Sequence, residues 1–176
     1  MKTRAFGASS SEHSINKRFA HYTALQLDPK AELLDLRDFP LPVFSVDLEK
    51  EIGIPPEARN FISKIKSADL LVISLAEHNG SYTAAFKNLF DWISRTEPKL
   101  FAGMKMLLLS TSTGQRGGLG VMEAALIRFP IHGADIIAHF SLPKFSENFD
   151  ETDGITNPEL RSTYIEILSE VKEIMK

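Results

Sequence analysis

The chain of 176 residues contains no cysteine, which removes disulfides, thiolate metal ligands and thiol redox chemistry together. Electrons moved by such a chain travel on something other than sulfur. No apolar run approaches the ~18 residues that a membrane-crossing helix needs. The amino terminus also lacks the apolar stretch of a signal peptide, so a cytoplasmic protein with no membrane partner is expected. Charge of one sign is equally scarce: 20 Lys plus Arg stand against 23 Asp plus Glu, a formal −3 at pH 7, with a pI near 6.0. Without a basic block, nucleic acid is not an expected partner.

Several patterns that carry chemistry are missing too. Neither G-x-x-x-x-G-K-[ST] nor G-x-G-x-x-G follows the first strand, which argues against an ATPase and a Rossmann dinucleotide site. There is no G-x-S-x-G elbow for a serine hydrolase and no H-E-x-x-H. His13, His21, His132 and His139 show no metal-ligand spacing and read as structural. The acidic segment from Asp150 to Gly154 lacks the alternating ligands of a calcium loop. No metal site and no catalytic side chain is assigned.

What is present is a 43% hydrophobic chain without repeat or linker, read as one domain over residues 1–176. A chain of this size buries roughly 70% of its unfolded surface, enough to hold a core without staples. Strand and helix patterns alternate throughout. Strands are expected at residues 2–6, 33–36, 69–75, 105–111 and 135–140, with helices at about 16–27, from 55 onward, 83–93, 121–129 and from 158 onward. Ala58, Phe61, Ile62 and Ile65 recur at helical spacing. Residues 141–156 read as a long acidic loop. Alternation of this kind implies a parallel sheet covered on both faces. The flavodoxin-like strand order 2-1-3-4-5 in a three-layer α/β sandwich brings the loops after strands 1, 3 and 4 to one rim, where such sheets bind ligands.

Those three loops have the most unusual compositions in the chain. The first, residues 7–16, includes Ser9, Ser10, Ser11, Ser14, Ile15 and Asn16. Its hydroxyls and the N-terminus of the next helix suit a phosphate, although Ser14 or Asn16 could equally serve as a simple cap. The second, residues 76–82, offers Glu77, His78 and Asn79 to the edge of a flat heteroaromatic ring. The third carries Ser112, Thr113, Gly114 and Gly117, with four glycines in seven positions from Gly114 to Gly120, which lets backbone N–H groups approach a ligand. Arg116 can stay solvated or meet a phosphate; its spacing does not decide. Phe86, Leu89, Phe90 and Ile93 form a helical stripe for the core, extended by Trp92, whose edge would be a subunit interface if one domain could not cover it.

With these residues in hand, the chain resembles the NAD(P)H-dependent FMN reductase family, flavodoxin-like quinone, azo-dye and chromate reductases, along essentially its whole length. Residues 77–82 and 86–95 are similar to the family's P-E-Y-N-x-S/G-x-P-x-x-L-K-N-x-x-D-W-x-S-R segment. Residues 9–16 resemble its G-S-x-R-x-x-S-x-N phosphate loop, and residues 112–118 its third flavin loop. There are departures: the usual arginine is Ser11, the glycine before Ser9 is Ala8, and the proline and tyrosine of the second motif are Ala76 and His78. Losing the arginine removes a charge-assisted phosphate contact.

The resemblance implies FMN as cofactor and NAD(P)H as donor. It also implies ping-pong hydride transfer to a small electron acceptor (a flavin, quinone or similar) and homodimers or homotetramers with residues 86–95 near the interface. A flavin-binding electron carrier or scaffold without turnover is the alternative. One misfit is internal: Arg4 sits in a strand expected at the sheet centre, where a guanidinium needs a partner. The strand would be frayed, or Arg4 would snorkel to the rim.

Overall fold

A computed structural model describes residues 1–176. The chain runs β1 (Thr3–Gly7), α1 (Ile15–Leu27), β2 (Glu32–Leu34), α2 (Val46–Ile52), α3 (Pro56–Lys66), β3 (Leu70–Leu75), β4 (Glu77–His78), β5 (Ser81–Tyr82) and α4 (Ala84–Ser94). It continues through β6 (Lys105–Thr111), α5 (Leu119–Ile131), β7 (Asp135–Leu142), α6 (Phe145–Asn148), β8 (Phe149–Asp150), β9 (Gly154–Ile155) and α7 (Pro158–Ile174). Five parallel strands form the main sheet in the order β2-β1-β3-β6-β7. Counted along that sheet alone, this is the flavodoxin-like order 2-1-3-4-5.

The layers follow from strand alternation, because successive side chains point to opposite faces. Leu71, Ile73 and Leu75 of β3 face a core shared with Phe61 of α3, Phe86 and Phe90 of α4 and Phe129 of α5. Leu70 and Val72 face the opposite core, with Phe19 of α1 and Tyr164 and Leu168 of α7. Phe86, Leu89, Phe90, Trp92 and Ile93 are all buried within the chain, so the stripe on α4 leaves no uncovered edge. Apolar surface is left instead on α5, where Ile127 and Ile131 are 72% and 57% exposed. No helix is long and apolar enough to cross a membrane.

Strand β1 is not frayed. It pairs in register with β3 over its whole length and with β2 from Arg4 to Phe6, and Arg4 finds partners for both terminal nitrogens sideways rather than at the rim, while its Nε is buried without one. Its Nη2 lies 2.8 Å from Glu32, the residue opposite it on β2, and its Nη1 donates to the Lys64 carbonyl. Glu32→Ala is therefore expected to cost about 2 kcal/mol, because it leaves a buried cation without its counter-charge. Urea denaturation measures this, and a change below about 0.5 kcal/mol would mean that the pair is effectively solvated.

Three segments depart from expectation. Helix α2 lies between the second strand and the helix from 55 onward, where no element is expected from the sequence; Ser45 caps it by accepting the Leu48 N–H. The acidic loop is structured: β7 runs on to Leu142, and α6 and the β8–β9 hairpin follow. Asp150 Oδ1 closes that hairpin by accepting the N–H groups of Thr152 and Asp153, with Phe145 stacked on Phe149. The third departure, the β4–β5 hairpin, lies at the candidate site.

Candidate functional site

Gly7 ends β1, and α1 begins close above it. A Cβ on Gly7 would stand 2.3 Å from the Lys17 nitrogen and 2.6 Å from the Lys17 Cα, so the first turn of α1 is seated directly on the strand's end. Ser14 is the N-cap, its Oγ accepting the Lys17 N–H at 3.2 Å. The first turn of any helix leaves N–H groups with no internal acceptor. Those of Ile15 and Asn16 remain open at the positive end of a 13-residue helix.

The Asn16 side chain points inward. Its Oδ1 accepts from Ser74 Oγ at 2.7 Å and from the Thr111 N–H at 3.1 Å, and its Nδ2 donates to the Thr111 carbonyl at 3.1 Å. One amide thus ties the first loop to the ends of β3 and β6. Thr83, the N-cap of α4, adds a second tie by donating to the Ala8 carbonyl at 2.9 Å. Ser9 Oγ accepts the Ser11 N–H at 3.1 Å, which curls the serine loop.

The second loop is a hairpin pairing Glu77 with Tyr82 and His78 with Ser81. Asn79 and Gly80 both take positive φ, 53° and 76°, the type I′ turn that an Asn-Gly pair specifies. Asn79 is thereby accounted for as a turn former at the exposed tip. Tyr82 anchors the hairpin, stacked on Phe129 with 3° between ring planes. Its hydroxyl is buried without a partner, and burial pushes its pKa up to about 12. Glu77 reaches the other way: its Oε2 accepts the Val121 N–H at 2.8 Å, a carboxylate at the positive end of α5. A Cβ on Gly120 would lie 2.9 Å from that oxygen, so glycine keeps the approach open.

The third loop is held mostly by the segment that ends β7 and begins α6. The Gly114 carbonyl accepts the Lys144 N–H at 2.9 Å, and the Ser112 carbonyl accepts that of Phe145 at 2.9 Å. Ser110 Oγ donates to the Gly117 carbonyl at 2.8 Å, and a Cβ on Gly117 would meet the Leu142 backbone at 2.8 Å.

The three loops enclose one cavity of about 280 Å³. From the first loop come Ser9, Ser11, Ser14, Ile15 and Asn16; from the second, Glu77 and His78; from the third, Ser112 and Thr113. Asn79, Gly114 and Gly117 are not on the wall. His13, Ala76 and Thr111 are on it, and sequence reasoning had not placed them there; for His13 the available signal was its position inside the serine loop. Hydroxyls and open helix amides are a donor set for an oxyanion, so the residues present fit the phosphate of FMN. The volume is just under the roughly 300–1,000 Å³ of small-molecule sites, which suits a phosphate and its attached chain better than a whole dinucleotide. Lys17 of α1 and Arg37 are engaged: both bind Asp35, at 2.8 and 2.9 Å. Arg37 foremost, with Lys17, holds the Asp35 carboxyl well below the usual carboxylate range.

A family model described as NADPH-dependent FMN reductase matches residues 1–147. A quinone reductase of Escherichia coli is 33% identical over 78 residues, 44% of this chain and 42% of that protein; the aligned part is thus less than half of either chain. Among solved structures, a flavoenzyme NAD(P)H:(acceptor) oxidoreductase from Paracoccus denitrificans superposes with a TM-score of 0.72 at 19% identity, covering 98% of each chain. An FMN-dependent NADH-azoreductase from Bacillus anthracis, in complex with FMN, superposes with a TM-score of 0.59 at 18% identity over 100% of both. At these identities the two structures speak for the fold.

Proposed function

The chain belongs to the NADPH-dependent FMN reductase family, and on that premise we propose that it is a cytoplasmic NAD(P)H-dependent FMN reductase of the quinone-reductase type, one FMN-binding domain across residues 1–176. The carrying observation is the meeting of three loops, distant in sequence, around one cavity with donors for an oxyanion. When bound, FMN supplies two-electron hydride chemistry between NAD(P)H and a small acceptor such as a flavin or quinone, the two occupying the site in turn.

The chain's own residues bind and position. The hydroxyls of Ser9, Ser11 and Ser14 and the N–H groups of Ile15 and Asn16 receive the phosphate. Ser112 and Thr113 border the remainder of the ligand opposite Ala76 and Glu77. The Asn16 amide and the Glu77 carboxylate keep the three loops in mutual register by tying them to β6 and α5. No side chain has to move a proton in the transfer itself; the chain's contribution is to bind and orient. The reading includes self-association into a dimer or tetramer. Ile127 lines a groove of about 450 Å³ between α4 and α5, Ile131 is exposed further along α5, and a second copy of the chain is the occupant assigned to that face, checked by particle mass in solution.

The decisive experiment is titration of the flavin-free chain with FMN, followed by anaerobic addition of each nicotinamide and then of quinone. The reading expects FMN to raise the melting temperature, by about 2.7 kcal/mol of stabilisation at a hundredfold excess over Kd. NADPH or NADH should then bleach the bound flavin, and quinone restore its colour over many turnovers. Bound flavin that neither nicotinamide bleaches would identify an electron carrier. A chain that FMN neither colours nor stabilises would be a scaffold.

A further inference from the structure

Hydroxyls and helix amides leave one feature of the cavity unexplained, which is its charge. No lysine or arginine lines it, yet two imidazoles do: His13 from the serine loop and His78 from the β4–β5 hairpin. Neither ring is committed elsewhere; of the five histidines, His132 is the one whose ring makes a hydrogen bond within the chain. The surrounding charges are all engaged or off the wall. The Glu77 carboxylate takes the Val121 N–H. Lys17 and Arg37 share Asp35, and Glu12, beside His13, lies 3.9 Å from Arg37. The third loop contributes Thr111, Ser112 and Thr113, which carry no charge, and its Arg116 stands outside the wall. A phosphate bound here would thus have helix dipoles and hydroxyls but no fixed cation.

We propose that His13 and His78 are the specificity-determining charges of this cavity: as imidazolium ions they recognise the phosphate of FMN and separate it from unphosphorylated riboflavin. Where the resembled motif carries arginine, this chain has Ser11, and His13 stands two residues further on. The inference rests on the flavin reading above. An imidazolium differs from a guanidinium in one measurable way: it can be discharged near neutral pH. A bound phosphate favours the charged form, so binding takes up protons, and affinity is lost as pH rises through the imidazole's titration in the complex.

The test uses flavin-fluorescence titrations of the flavin-free full-length chain with FMN and with riboflavin, from about pH 7 to about pH 8.5, a range in which the phosphate is already a dianion. FMN affinity is expected to fall about threefold across this range for each imidazole whose proton affinity the phosphate raises by one unit, while riboflavin affinity stays level. The double variant His13→Gln, His78→Gln is expected to bind FMN weakly with a flat profile. Its unchanged riboflavin affinity would show that the cavity still forms. Competition by inorganic phosphate on the wild-type chain, stronger at the lower pH, reads the same property without a variant. FMN affinity that is constant across the range, or a double variant that keeps the wild-type slope, would overturn the proposal. Failure of both flavins to bind at any pH would sink the flavin reading itself, and that result is distinct from tight, pH-independent FMN binding, which sinks only the role of the imidazoles.

Discussion

Gly7→Ala is expected to destabilise the chain by about 4 kcal/mol, to lower its melting temperature by roughly 12 °C and to remove FMN binding. The new methyl would stand 2.3 Å from the Lys17 nitrogen, 2.6 Å from the Lys17 Cα and 2.7 Å from the Asn16 carbonyl carbon. These are backbone atoms of a helix and cannot rotate aside, so α1 itself has to lift. That helix packs Phe19, Ala20 and Ala24 into the core against β1, β3 and β6, and each is fully buried. Lifting it loosens close packing along the whole face, which is why the cost exceeds the ~1–3 kcal/mol of ordinary overpacking. The same movement displaces Ser14, Ile15 and Asn16 from the cavity wall. Gly114→Ala is the matched control: its methyl meets nothing nearer than Ser112 Oγ at 3.7 Å, and stability is expected to change by less than about 0.5 kcal/mol. Thermal melts and FMN titrations of the two variants check both claims. A Gly7→Ala chain that melts within a few degrees of wild type would mean that α1 is not seated on β1 as described.

The sheet order was legible because its signals are local. The apolar runs of β3 and β6, buried on both faces, and the proline, glycine and capping punctuation between them leave few topologies. The meeting of the three loops was legible for the same reason, since strand order alone determines which loops share a rim. What each loop residue does there was less legible, because the partners are distant in sequence. Arg4 looked out of place until β2 set Glu32 beside it. The glycines of the third loop looked like an approach for a ligand. Gly117 is instead required by the nearness of Leu142, and Gly120 by the carboxylate of Glu77, both contacts that only the folded chain creates. Asn79-Gly80 carries a turn signal that is fully visible, and the same polar side chain also reads as a ring contact. Metal spacing says nothing of His13, because an imidazole that acts as a lone charge has no spacing rule.

Asn16 separates the two kinds of role most sharply, because residue type alone suggested a phosphate ligand and its side chain is occupied elsewhere. Asn16→Ala removes three hydrogen bonds and strands the Ser74 hydroxyl and both backbone groups of Thr111. Ser74 and Thr111 are 0% and 1% exposed. Unsatisfied buried groups cost about 1–3 kcal/mol each. Water from the cavity can relieve part of that, so a loss of about 3 kcal/mol, or roughly 9 °C in melting temperature, is expected. Asn16→Asp behaves differently. Its carboxylate still accepts from Ser74 and from the Thr111 N–H, and it sits favourably in the first turn of α1. It opposes the Thr111 carbonyl, so stability should fall by only about 1–2 kcal/mol. The same negative charge repels a phosphate, so its FMN affinity should drop below that of the alanine variant while riboflavin is spared. Stability is therefore expected to rank wild type, Asp, Ala, and FMN affinity wild type, Ala, Asp. Denaturation curves and flavin titrations on three proteins read both orders. If the alanine variant instead keeps its stability within about 1 kcal/mol and loses FMN, the amide belongs to the ligand rather than to the scaffold that shapes its cavity.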